Sequence, residues 1–181
     1  MVLANSDPGN TPTASGNGLT WVEVATANTA DSRNTLTMFR AMGASPSAGA
    51  ITFDFGAQTK SRATWSVVEF TNMDTTGTNG SGAVVQNAKN GATTGTALTV
   101  TLAAFADVNN ATFGVLMVNN NPTTIITEGT GFTEVNENKV NAIWAIHTEF
   151  KDTNDTTVNW TWDVDGFNQG IAVEIKNATQ A

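Results

Sequence analysis

The stretch Thr157-Val158-Asn159-Trp160-Thr161-Trp162-Asp163-Val164 decides the fold. Its apolar residues fall on every second position, the period that sends alternate side chains to opposite faces of a β-strand. Val158, Trp160, Trp162 and Val164 share one face; Thr157, Asn159, Thr161 and Asp163 share the other. The same period returns in Ile51-Thr52-Phe53-Asp54-Phe55 and in Leu98-Thr99-Val100-Thr101-Leu102. Shorter runs rich in Val, Ile, Phe and Trp predict further strands at 19–26, 35–42, 64–70, 83–87, 124–127, 132–135, 142–150 and 171–175. Residues 112–119 are uncharged and apolar on both faces, which reads as a central strand. Turn signals separate these runs, among them Asn90-Gly91, a favoured hairpin dipeptide, and a long polar loop at 72–82. No stretch carries a sustained 3.6-residue period with helix caps, so little helix is expected beyond a single turn. The prediction is an all-β antiparallel sandwich of jelly-roll type with about ten strands.

Composition agrees with that class. The chain has 181 residues, 31 of them Thr and 21 Asn. Thr favours strands and Asn tolerates the positive φ of tight turns, so the excess suits many strands joined by many turns. With 40% apolar residues and only 13% charged, the body at 18–181 reads as one folded domain. Residues 1–17 contain Pro8, Gly9, Pro12 and Gly16 without apolar periodicity and read as an extended N-terminal arm.

The net charge of −8 and the scattering of eight Lys and Arg argue against nucleic acid, which needs clustered cations to displace counterions. No run approaches the length of a membrane span, and the first residues lack the basic and apolar regions of a signal peptide. The absence of cysteine suits a reducing cytoplasm, and equally a particle that leaves one.

Residues able to carry chemistry are few. Trp160 and Trp162 share a face and are the candidates for stacking a sugar ring, although their apolar flanks favour core packing. Trp21, Trp65 and Trp144 also sit among apolar strand neighbours and are expected in the core. Glycosidase chemistry needs two carboxyl groups about 5 to 10 Å apart. Glu134 and Glu137, three positions apart, would leave a regular strand on opposite faces. Asp163 and Asp165, with Asp152 and Asp155 nearby, raise calcium, but the EF-hand spacing fails and turn aspartates are the simpler reading. His147 stands alone, with no second His or any Cys to complete a metal or nucleophilic set. No catalytic, cofactor or metal residues are assigned. The five Asn-x-Ser/Thr sequons are about what chance gives at this composition.

Several runs carry a family resemblance. They are Phe39-Arg40-Ala41-Met42-Gly43-Ala44-Ser45-Pro46 with Ile51-Thr52-Phe53-Asp54-Phe55-Gly56, then Trp65-Ser66-Val67-Val68-Glu69-Phe70, Gly131-Phe132-Thr133-Glu134 and Gly170-Ile171-Ala172-Val173-Glu174-Ile175-Lys176. Over residues 18–176 the chain resembles jelly-roll proteins of tailed bacteriophages and environmental bacteria, some of them capsid decoration or tail-associated virion proteins. These are strand and turn signatures, so no site residue is carried across. Beside that resemblance, the lack of a catalytic set and of an export signal, the polar arm and the Thr/Asn-rich composition lead to the expectation of a non-enzymatic structural protein of a virus particle, a capsid decoration protein made in the host cytoplasm that forms a homo-oligomer such as a trimer and binds other virion proteins. The arm is the expected docking or strand-exchange element, through Val2, Leu3, Asn5, Asp7, Pro8 and Pro12. The alternative is a carbohydrate-binding module using Trp160 and Trp162.

Overall fold

A computed structural model describes residues 1–6, 11–29, 33–119, 125–140 and 144–178. Fifteen strands and a single three-residue 3-10 turn, Ser81–Ala83, make up the regular structure among these residues. The protein is all-β, and every strand pairing is antiparallel.

The centre of the molecule is a five-stranded sheet in the order β12 (Thr133–Val140), β13 (Trp144–Lys151), β10 (Ala111–Asn119), β15 (Phe167–Ile175), β8 (Val84–Ala92). A four-stranded sheet runs β4 (Val22–Asn28), β5 (Asn34–Arg40), β1 (Val2–Ser6), β7 (Ala63–Ser66). A three-stranded sheet runs β11 (Ile126–Thr127), β14 (Thr157–Trp162), β9 (Ala97–Thr101). A second three-stranded sheet joins β3 (Leu19–Thr20), β2 (Thr13–Gly16) and β6 (Ile51–Asp54).

The side-chain period turns this list into layers. Odd-numbered residues of β10, Phe113, Val115 and Met117, pack with Val2, Ala4, Leu36 and Met38 of the four-stranded sheet. Even-numbered Leu116 and Val118 pack with Leu98, Val100, Val158 and Trp160 of the β11–β14–β9 sheet. The five-stranded sheet is therefore covered on both faces and separates two hydrophobic cores. That explains why β10 and β15 lack polar alternation, as strands buried on both faces do. The strand orders establish an antiparallel sandwich; the jelly-roll arrangement expected from spacing is not established by them.

Trp160 shows how the second core closes. Its indole enters a hollow over β10 and β15 where Gly114 and Gly170 carry no side chain. A Cβ on Gly114 would lie 2.7 Å from Trp160 Cζ2 and 2.5 Å from Val158 Cγ1. On Gly170 it would stand 3.1 Å from Trp160 Cζ3. Large and small residues interdigitate across facing layers, which is what close packing at crystal-like density demands.

Three expectations are corrected. The segment read as an arm contains β1, whose five residues are all buried between β5 and β7, and β2, which turns into β3 through Asn17 and Gly18 at φ 59° and 65°. Positive φ at both central residues is the geometry Asn-Gly supplies to a tight hairpin. Asn90-Gly91 is no turn: both residues lie inside β8, paired with Gly170 and Gln169. Trp65 is 50% exposed and rests on Phe53 at 5.6 Å between ring centroids. On β7 it is Thr64 and Ser66 that are buried, which leaves Trp65 on the outward face.

Candidate functional site

The residues expected to bind a partner divide into two groups. Val2, Leu3 and Asn5 are fully buried in β1, hydrogen-bonded on both sides to strands distant in sequence, and Pro12 is buried beside β2. Asp7 and Pro8 lie outside the described residues. An element reachable by a partner from solvent is therefore not what Val2, Leu3 and Asn5 form in this chain. They complete its sheet.

Trp160 and Trp162 are 0% and 5% exposed, so neither indole offers a face to a sugar, and the stacking expectation is overturned. Trp144 is buried too, at 1% exposure, but in the other core, on the opposite face of the central sheet. The acidic turn residues cap loops. Asp163 Oδ1 accepts the Ile125 N–H at 3.1 Å and Asp165 Oδ1 the Gly95 N–H at 2.5 Å. Asp155 accepts from Lys151 Nζ at 2.7 Å and from the Thr157 N–H at 2.8 Å.

A different constellation gathers where β12 meets β13. A bulge between Glu134 and Asn136 sets Glu134 opposite Glu149 and Glu137 opposite His147. His147 and Glu149 are two apart on β13 and share a face, so the bulge brings Glu134 and Glu137 onto that face together. The opposite-face expectation for these two glutamates holds only for an unbroken strand. The turn after β11 adds Glu128 from the neighbouring layer. Among the described residues, Glu128, Glu134 and His147 are the group of metal-ligating side chains whose donor atoms lie within 4.8 Å of one another.

The electrostatics of this cluster are unbalanced. His147 is fully buried, and neither ring nitrogen has a hydrogen-bond partner among the described residues. Its nearest carboxylate contact is Glu137 Oε2, 3.8 Å from Nδ1, which is too long for a hydrogen bond. Burial holds the imidazole pKa below its usual 6.5, against the upward pull of Glu134, Glu137 and Glu128. Glu149, also fully buried, accepts one hydrogen bond, from the Gly129 N–H to Oε2 at 3.0 Å, and its Oε1 has none. Burial pushes its carboxyl up to about 8, with the charges of Glu128 and Asp155 adding to the effect.

Glu174 on β15 is the instructive contrast. It is just as buried, yet its two oxygens accept from Asn110 Nδ2 at 2.6 Å, the Ala106 N–H at 3.0 Å and Gln86 Nε2 at 2.6 Å. The fold thus satisfies the buried carboxylate of Glu174 with donors. It does not do so at His147 and Glu149.

Two clefts open elsewhere. One of about 800 Å³ is lined by Phe70, Met73, Phe150 and Asp152, and one of about 370 Å³ by Trp21, Met38, Phe39 and Phe113. No helix of the described residues is long and apolar enough to cross a membrane. No family model, no curated protein and no solved structure matches this chain.

Proposed function

We propose that this chain is a non-enzymatic structural protein of a virus particle, a capsid decoration protein that assembles as an oligomer through its first strand. The observation that carries the reading is the position of β1. A five-residue segment, joined to β2 by six residues, fills the slot between β5 and β7 with every side chain buried. Such a slot accepts the same strand from the same chain or from a neighbouring copy, because the backbone pairing and the pockets are identical. Exchange of β1 between copies would link subunits by the contacts that already hold the sheet together. Repetition around a shell would then multiply modest affinities into firm attachment. The strand and turn runs resembling tailed-phage virion proteins, and a composition rich in Thr and Asn with few charged residues, support the same reading.

The absence of native cysteine gives a direct test. Met1 and Phe39 exchange both backbone hydrogen bonds, at 3.0 and 2.8 Å. Alternation along the ladder then makes Ser6 and Asn34, which are register partners, a non-hydrogen-bonded pair. Cα atoms in such pairs are about 4.5 Å apart, within reach of a disulfide. The double variant Ser6→Cys/Asn34→Cys is expected to run as covalent oligomers on a non-reducing gel after mild oxidation. Closure within single chains only would show that β1 serves its own sheet and would overturn strand exchange. Virion location is read separately, by recovery of the chain in stoichiometric amount from purified particles.

A further inference from the structure

We propose that His147, Glu128 and Glu134 bind a divalent transition-metal ion of the zinc class, which ties the turn after β11 to the edge of the central sheet. This inference is independent of the assembly reading above. His147 has no solvent exposure, and both ring nitrogens are without a hydrogen-bond partner among the described residues. A neutral imidazole carries one donor and one acceptor, and leaving them unmade in a buried place costs the full desolvation of each. A metal ion on one nitrogen removes the acceptor deficit.

The carboxylates stand where such an ion needs them. Donor atoms of Glu128, Glu134 and His147 lie within 4.8 Å of one another. Ligands of a bound zinc ion, at about 2.0–2.2 Å from the metal, sit roughly 3.4 Å apart in a tetrahedron. Closing that gap takes a rotamer adjustment of Glu134, which is exposed, and of Glu128, which is half-buried, while His147 stays fixed by the core. Two glutamates and one histidine make a three-residue set with a fourth position for water. Glu137 stands beside the set without joining it: its Oε2 is 3.8 Å from Nδ1 and its Oε1 pairs with Lys139 Nζ at 2.7 Å.

The donor types choose the metal. An imidazole nitrogen favours zinc and its transition-series neighbours, whereas calcium and magnesium take oxygen ligands in larger number. The bulge that sets Glu134 and Glu137 on the His147 face is the kind of local irregularity that re-aims side chains at a site. The ion would also offset the negative charge of Glu128 and Glu134, whereas Glu137 is already paired with Lys139 Nζ at 2.7 Å. Because Glu128 leaves the β11–β14–β9 layer and the other two ligands belong to the central sheet, the ion would bridge two layers of the fold.

The test is zinc titration of the full chain in competition with a chromophoric chelator, with cobalt(II) absorption as a second readout. One zinc ion per chain is expected, together with cobalt bands of a nitrogen- and oxygen-ligated ion and a rise in melting temperature on zinc addition. Glu134→Gln changes an exposed residue and leaves the core intact; it is expected to weaken zinc by at least about tenfold. His147→Gln is expected to abolish the cobalt bands, and if it does not fold, Glu134→Gln and Glu128→Gln decide the matter. Asp163→Asn is the control and should bind as the parent does. No saturable zinc binding, equal affinity in the parent and Glu134→Gln, or a calcium affinity matching that for zinc would each overturn the proposal.

Discussion

Replacing Trp160 with alanine is expected to cost about 3–5 kcal/mol of stability, the range for removing a fully buried large aromatic side chain. The indole is wholly buried and lies against the backbone of β10 and β15 at Gly114 and Gly170. Neither strand can collapse into the space, because both are held from the other side by the first core. The converse change should hurt for the opposite reason. Gly114→Ala places a methyl group within 2.7 Å of a rigid ring and within 2.5 Å of Val158 Cγ1, and overpacking of that kind costs about 1–3 kcal/mol. The two effects are coupled through one volume. Urea unfolding of both single variants and the double variant should give a combined loss smaller than the sum of the two. Simple additivity would mean that Trp160 does not occupy the hollow above Gly114.

The second large effect is a pH dependence set by Glu149. Its folded pKa of about 8 lies above the usual 4.5, so the folded state holds a proton that the unfolded chain gives up between those values. Below pH 4.5 the carboxyl is neutral in both states and costs nothing by titration. Between 4.5 and 8 folding is penalised more with each step upward, and above 8 the penalty levels off. At about 1.4 kcal/mol for each pH unit between the two pKa values, the ceiling is roughly 5 kcal/mol. Glu149→Gln keeps the shape and the oxygen that accepts from Gly129 while removing the titration. Measured in chelator, its advantage over the parent in unfolding free energy should grow from near zero at pH 4.5 to its maximum near pH 8. His147, whose folded pKa is lowered, contributes the opposite slope below its usual 6.5, a term common to both proteins that cancels in the comparison. Parallel profiles for the parent and Glu149→Gln would show that the carboxyl is ionised in the folded chain.

What the sequence made legible follows from where one rule applies alone. Val158, Trp160 and Trp162 alternate cleanly because β14 buries a single face, so strand, face and core position could all be read from the period. Residues 112–119 were readable as a central strand because they carry no charge at all. Val2 to Ser6 escaped, since a strand buried on both faces has no alternation, and Asn5 and Ser6 disguise it as polar. Asn17-Gly18 was the available signal for a hairpin inside that segment. The His147 cluster was hidden for a different reason. Its residues come from two layers, and the bulge at Glu134 and Asn136 reverses the face assigned by counting. Trp65 was assigned to the core by composition of its neighbours, but Thr64 and Ser66 take the inward positions on β7.

The proposed strand exchange requires this body to assemble with copies of itself. Native mass spectrometry of the full chain across a range of concentrations, with and without zinc, tests it most directly. The expected spectrum is dominated by one closed oligomer of fixed stoichiometry. A monomer at every concentration, in both conditions, would rule out assembly through β1.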